Sequence, residues 1–284
     1  MDVSIIYVNY NSTNLIINSI NSVIELTKDI SYEIIIVDND STLDDKNISI
    51  IESATNLGFG KANNLGAQSA CGEYLFFLNP DTYLINNAIK ELFLFAKESN
   101  ISTCGGNLYS AALQPIHSYW TLMPSVKAEL SALLSDIPLK VLHKNSHEHN
   151  LTNQPKEVAF ITGADLMILR SLFNQLDGFD KDFFMYFEET ELQYRIKQLG
   201  HKIYNLPTAR IVHLESQTLK SREAKLKLFF TSRKIFYQKH RSSLQLKIAN
   251  VINKISAVVR IITFSILLNK EKTIYWKTTF KQCL

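Results

Sequence analysis

With 284 residues, 46% of them hydrophobic and 20% charged, the chain has apolar surface enough for a large core, which excludes a disordered or low-complexity protein. Its three cysteines, Cys71, Cys104 and Cys283, lack metal-type spacing and are too few for a disulfide framework, so they read as small buried apolar residues in a reducing cytosol. The net charge of +3 conceals an asymmetry: residues 217–284 hold fifteen Lys and Arg against Glu223 and Glu271, leaving 15 basic and 25 acidic residues in 1–216.

No secretory leader is expected, because Met1-Asp2-Val3 runs straight into an apolar β-branched stretch, Ser4–Asn9. That stretch ends in Asn9-Tyr10-Asn11-Ser12-Thr13, a turn cluster rich in helix N-caps, and Ile16, Ile17, Ile20, Val23, Ile24 and Leu26 then recur at helical spacing. A second strand, Tyr32–Val37, stops in Asp38-Asn39-Asp40-Ser41, and Ile48–Ile51 is a short third. Two strands followed by polar loops predict one edge of a parallel sheet.

Asn56-Leu57-Gly58-Phe59-Gly60-Lys61-Ala62-Asn63-Asn64-Leu65-Gly66 comes next. Its glycines suit a close backbone approach to a ligand, and Lys61 and the asparagines offer donors to phosphate or sugar oxygens. The spacing is neither a P-loop nor Gly-x-Gly-x-x-Gly. Glu73–Leu78 is an apolar, aromatic run that breaks at Asn79-Pro80-Asp81, as expected of a strand buried on both faces with a carboxylate at its C-terminal tip. Ligands of open α/β sheets bind outside such tips.

A helix is expected over 86–98, strand and loop over 103–119, a helix over 122–134 and a polar mobile loop over 143–155. The histidines of that loop, His143, His147 and His149, read as solvated rather than metal-binding. Val158–Arg170 reads as two short apolar segments around Gly163-Ala164. Phe183-Phe184-Met185-Tyr186-Phe187 then delivers Glu188, Glu189 and Glu191 to a helix start, where apolar surroundings would raise a carboxyl pKa toward that of a general base. Ala209–His213 is a last short strand.

The ordered set of Asp38, the Asn56–Gly66 loop, Leu-Asn-Pro-Asp at 78–81, Gly-Ala-Asp at 163–165, Phe-Glu-Glu-x-Glu-Leu at 187–192 and Ile-Val-His at 211–213 resembles the family 2 inverting glycosyltransferases, particularly the bacterial rhamnosyltransferase-like branch. The resemblance implies a GT-A fold over 1–216, with a mixed, mostly parallel sheet flanked by helices. It also implies transfer of a sugar, L-rhamnose first, from a nucleotide-diphosphate sugar to a lipid-linked or growing cell-surface polysaccharide such as O-antigen or capsule. By the same resemblance Glu189 would be the base, with Glu188 and Glu191 as alternatives. Asn9, Asp38, Asn56, Gly58, Lys61, Asn64, Asn79, Asp81, Gly163, Ala164 and Asp165 would line the donor site. Asp81 and His213 would hold a divalent cation, Mg2+ or Mn2+. Asn79 departs from the first acid of the family's metal motif, and Glu-Thr-Glu from its more usual Glu-Asp-x-Asp.

Residues 217–284 form a basic helical tail, whose apolar residues among Lys and Arg predict interfacial helices on an anionic membrane rather than a nucleic-acid site. The expected location is therefore cytoplasmic and peripheral, on the inner face of a bacterial plasma membrane. The competing readings are a sugar nucleotidyltransferase, which needs a glycine-rich loop where Asn9–Thr13 has none, and a non-catalytic scaffold of polysaccharide assembly.

Overall fold

A computed structural model describes residues 1–39, 49–135, 148–215 and 221–283. These form two compact units: residues 1–121, 148–184 and 188–215 in the first, and 122–135, 185–187 and 221–283 in the second.

The first unit opens with β1 (Val3–Asn9), α1 (Thr13–Leu26), β2 (Tyr32–Asp38), β3 (Ser49–Glu52), α2 (Phe59–Ser69) and β4 (Tyr74–Leu78). β5 (Thr82–Leu84), α3 (Ala88–Glu98), β6 (Thr103–Tyr109) and β7 (Tyr119–Trp120) follow. Within the second unit lies α4 (Val126–Ser135). The first unit resumes with β8 (Lys156–Val158), β9 (Phe160–Ile161), β10 (Asp165–Leu169), α5 (Arg170–Gln175), α6 (Glu188–Gln198) and β11 (Ile203–His213). The basic tail supplies α7 (Arg222–His240), α8 (Ser243–Ile266) and α9 (Lys270–Gln282).

The main sheet has the order β3-β2-β1-β4-β10-β6-β11-β5, with β8 also paired to β11. β1, β2, β3, β4, β6 and β11 run one way, whereas β5, β8 and β10 run the other. β4 is buried at every position because its alternate side chains feed two cores. Tyr74, Phe76 and Leu78 meet Ile16 and Ile20 of α1 and Ile89 and Leu92 of α3, while Leu75 and Phe77 meet Ala67 of α2, Phe173 of α5 and Leu192 of α6. A sheet covered on both faces is what an unbroken apolar run encodes.

Several expectations need correction. The last strand starts at Ile203, six residues before Ala209. Its pairing with β6 slips between Leu206 and Arg210, and that irregularity accommodates Pro207, which has no N–H to give a ladder. His149 is no solvated loop residue: it is buried edge-on to Tyr109, with Nδ1 3.2 Å from Ser118 Oγ and 3.0 Å from the Ile116 carbonyl. His143, His147, Asp40 and Ser41 lie outside the described residues. Cys104 and Cys283 are buried as expected, but Cys71 is exposed.

Candidate active site

Parallel pairing puts Asn9 and Asp38 directly opposite each other at the C-terminal ends of β1 and β2. Asn9 Nδ2 donates to Asp38 Oδ1 (3.0 Å), and Ser12 Oγ donates to Asn9 Oδ1 (2.8 Å), so the buried carboxylate is held from the side. Beyond it Asn39 Nδ2 reaches Asn56 Oδ1 at 3.4 Å, and that same oxygen accepts the Gly58 N–H at 2.9 Å. Gly58 has φ +77°, and a Cβ there would stand 2.2 Å from the Phe184 carbonyl oxygen, so glycine is required. α2 starts at the next residue, where the Phe59 N–H bonds to that same carbonyl. Lys61 is exposed on the first turn. Asn64 is committed elsewhere: its amide gives to the Phe179 carbonyl (2.7 Å) and accepts from the Phe179 N–H (2.8 Å), clamping the loop ahead of α6.

At the tip of β4 the chain turns through Asn79-Pro80-Asp81, closed by Thr82 Oγ1 on the Asn79 carbonyl (2.7 Å). β5 then pairs with the end of β11, with His213 opposite Thr82. This brings His213 Nε2 to 3.3 Å from Asp81 Oδ1 and 3.5 Å from Asn79 Nδ2. Among the described residues no cluster of three or more His, Cys, Asp or Glu could hold a metal alone. One carboxylate and one imidazole do suit a divalent cation whose other ligands are phosphate oxygens and water, so this donor set fits a cation that arrives with a diphosphate.

The Asn79 N–H bonds to the Ala164 carbonyl at 3.0 Å, which joins this tip to the Gly163-Ala164 turn before β10. Asp165 faces the interior, where its Oδ2 accepts the Gly106 N–H at 2.6 Å and burial holds its carboxyl well above the usual range. Its Oδ2 thus braces β6, while Oδ1 is buried without a hydrogen-bond partner among the described residues and Ala164 packs in the core. A Cβ on Gly163 would lie 3.5 Å from Glu189 Cγ and 3.7 Å from the Phe59 ring.

The chain enters α6 through Tyr186 and Phe187, both with φ +68°, a conformation costly for large side chains. Three acids then occupy the first turn. Burial raises the pKa of Glu189, and it raises that of Glu188 further with help from the neighbouring Glu189 charge, overriding the backbone N–H bonds that oppose the shift. Glu188 Oε2 is buried without a hydrogen-bond partner, and Glu189 Oε1 accepts from Thr190 Oγ1 at 3.2 Å. Glu191 differs: Arg195 Nε lies 2.9 Å from each of its oxygens and Nη2 2.8 Å from Oε2.

Three contributors escaped the sequence reading. Phe59 walls Gly163, Arg195 binds Glu191, and Gln193 links the Ile161 backbone, through 2.7 and 2.8 Å bonds, to the Glu189 carbonyl at 3.0 Å. The last two stand four residues after their acids, a helical spacing visible in the sequence.

Comparison with known proteins bears on the family and the fold. The chain is 28% identical over 222 residues to the low-salt glycan biosynthesis hexosyltransferase Agl10 of Haloferax volcanii, covering 75% of this chain and 67% of that one. It is 26% identical over 180 residues to the N-acetylglucosaminyl-diphospho-decaprenol L-rhamnosyltransferase of Mycobacterium tuberculosis, covering 59% of each. The fold is like that of GalNAc-T7, solved with UDP, GalNAc and Mn2+, at a TM-score of 0.56 and 19% identity over 84% of this chain and 50% of that one. This likeness and the sheet order identify a GT-A fold with helices added at its C-terminal end. Residues 4–177 match the family described as glycosyl transferase family 2, a span that takes in Asp38, the Asn56–Gly66 loop, Asp81 and Gly163 and stops short of the α6 acids. The chain therefore belongs to glycosyl transferase family 2, as a glycosyltransferase.

Proposed function

We propose that the chain transfers a sugar, L-rhamnose as first choice, from a nucleotide diphosphate to a hydroxyl of a lipid-linked or growing cell-surface polysaccharide, inverting the anomeric carbon. The observation that carries this reading is the two-residue bridge at Gly163-Ala164. Ala164 is hydrogen-bonded to Asn79 beside Asp81 and His213, while Gly163 abuts Glu189. A diphosphate on the Asp81 side and an acceptor hydroxyl on the Glu189 side would meet across the sugar, the arrangement that in-line displacement needs. Glu189, with its raised pKa, takes the proton of the attacking hydroxyl; Asp38, oriented by Asn9, would contact the nucleoside; Lys61 would reach the phosphates. Asp81 and His213 would hold the cation, which when bound neutralises charge growing on the leaving diphosphate.

The choice of rhamnose draws on the name of the mycobacterial relative, and so does the lipid-diphosphate acceptor. The basic tail supports a peripheral position on the inner membrane face. Incubation with a panel of nucleotide sugars, a divalent cation and membrane-lipid acceptor tests the reading. Nucleoside diphosphate release with one donor is expected. Pyrophosphate release would make the chain a nucleotidyltransferase, and no release of either kind a scaffold.

A further inference from the structure

α8 is built inside out. Its inner face carries small and polar residues: Ala249, Ser256 and Ala257 are buried, Asn250 Oδ1 accepts from Arg233 Nη1 (2.8 Å), and Asn253 Nδ2 donates to Glu129 Oε2 (2.9 Å). Arg233 and Glu129 are themselves paired through Nη2 and Oε1 at 2.7 Å. The outer face presents Leu244, Ile248, Val251, Ile255, Val258 and Ile262, each between 40% and 64% exposed. An ordinary surface helix has the opposite arrangement.

We infer that α8 lies flat on an anionic lipid surface, with this stripe sunk below the headgroups and its polar face kept on α4 and α7. The inference rests on the proposed membrane location and specifies the surface responsible. The five steps from Leu244 to Ile262 alternate four and three residues, which keeps the stripe on one helix face for about 27 Å. Such a repeat would also suit a helix seam, and the basic charge around the stripe is what favours lipid. At about 100° per residue Lys247 and Lys254 fall along one flank of the stripe, and Ile266, Leu267 and Leu268 extend its apolar end. The fifteen basic residues against two acids in 217–284 complement anionic headgroups.

α8 is also long and apolar enough to cross a membrane by length and composition. Crossing would strip Asn250 and Asn253 from Arg233 and Glu129 and draw Lys254 and Arg260 into hydrocarbon. Lying flat keeps those bonds and buries the same apolar stripe.

The test is sedimentation of the full chain with vesicles, scored beside nucleoside diphosphate release with a water-soluble octyl glycoside acceptor. Binding to phosphatidylglycerol-containing vesicles is expected to exceed binding to pure phosphatidylcholine and to be released by alkaline carbonate. Val251→Asp with Ile255→Asp should weaken it at least about tenfold while leaving release unchanged. The milder Ile255→Asn should weaken it less, and Lys247→Glu with Lys254→Glu should reduce only the anionic-lipid preference. Three results would overturn the inference: no vesicle binding, retention through carbonate until detergent is added, or a dimer that the stripe variants dissociate without affecting vesicle binding. Absent release with intact vesicle binding would instead count against the transferase reading.

Discussion

The choice of base among the α6 acids can be tested through Glu191. Its carboxylate is 1% exposed and takes three hydrogen bonds from Arg195, whose guanidinium also donates to the Leu176 and Gly178 carbonyls. Glu191→Gln keeps the shape but leaves a guanidinium facing a neutral amide. Breaking a buried pair from one side costs about 3–5 kcal/mol, and because Arg195 is 23% exposed the low end, about 3 kcal/mol, applies. At about 2–4 °C per kcal/mol for a domain of this size, Tm should fall by roughly 6–12 °C. Thermal melts measure this, and nucleoside diphosphate release per folded molecule, at a temperature where the variant is native, should stay within about threefold, because the bonds to Arg195 give Glu191 a structural task. An unchanged Tm with turnover lost would refute the reasoning and move the base to Glu191.

Glu189→Gln should lower transfer by about 10²-fold or more with donor affinity nearly unchanged in calorimetry, since it removes the base and leaves the Asp81 side intact. Glu188→Gln addresses linkage. A carboxyl with a raised folded pKa keeps its proton when the unfolded chain has lost it, so wild-type stability falls as pH rises from the ordinary glutamate value near 4.3 through the folded pKa. The Tm of Glu188→Gln relative to wild type should therefore climb across that window, and a constant difference would show that Glu188 is ionised in the folded state. Asp81→Ala should remove the part of nucleotide-diphosphate affinity that depends on added Mg2+ or Mn2+; titration with and without cation reads this, and equal losses in both would place Asp81 outside the metal site.

Much of the fold was legible because burial on two faces leaves an unmistakable apolar run at 74–78, and because the turn after each parallel strand is written in Asn, Asp and Ser. What escaped depends on distant partners. The first half of β11 contains Pro207, and the slipped register with β6 shows how the sheet tolerates it. His149 reads as polar loop until Tyr109, Ser118 and Ile116, more than thirty residues earlier, close around it. Within the site the residue types were legible and their division of labour was not. Asn64 has the chemistry of a ligand contact, yet the Phe179 backbone occupies both ends of its amide, and the Gly106 N–H takes one oxygen of Asp165.

The placement of charge joins these details into one argument. A nucleotide diphosphate is strongly anionic, and a site crowded with ionised carboxylates would repel it. Asn79 in place of a second acid leaves Asp81 as the carboxylate beside His213, enough to help a cation bridge to phosphate and too little, by the donor count, to retain it tightly alone. Across the Gly163-Ala164 bridge burial raises the pKa values of Glu188 and Glu189, which suits a base facing a hydroxyl. With a single carboxylate beside His213, cation and donor would arrive together. The prediction peculiar to this arrangement is that Asn79→Asp, which adds a carboxylate near His213, should tighten metal binding in the absence of nucleotide, measured by Mn2+ titration. Unchanged Mn2+ affinity would mean that position 79 does not face the cation.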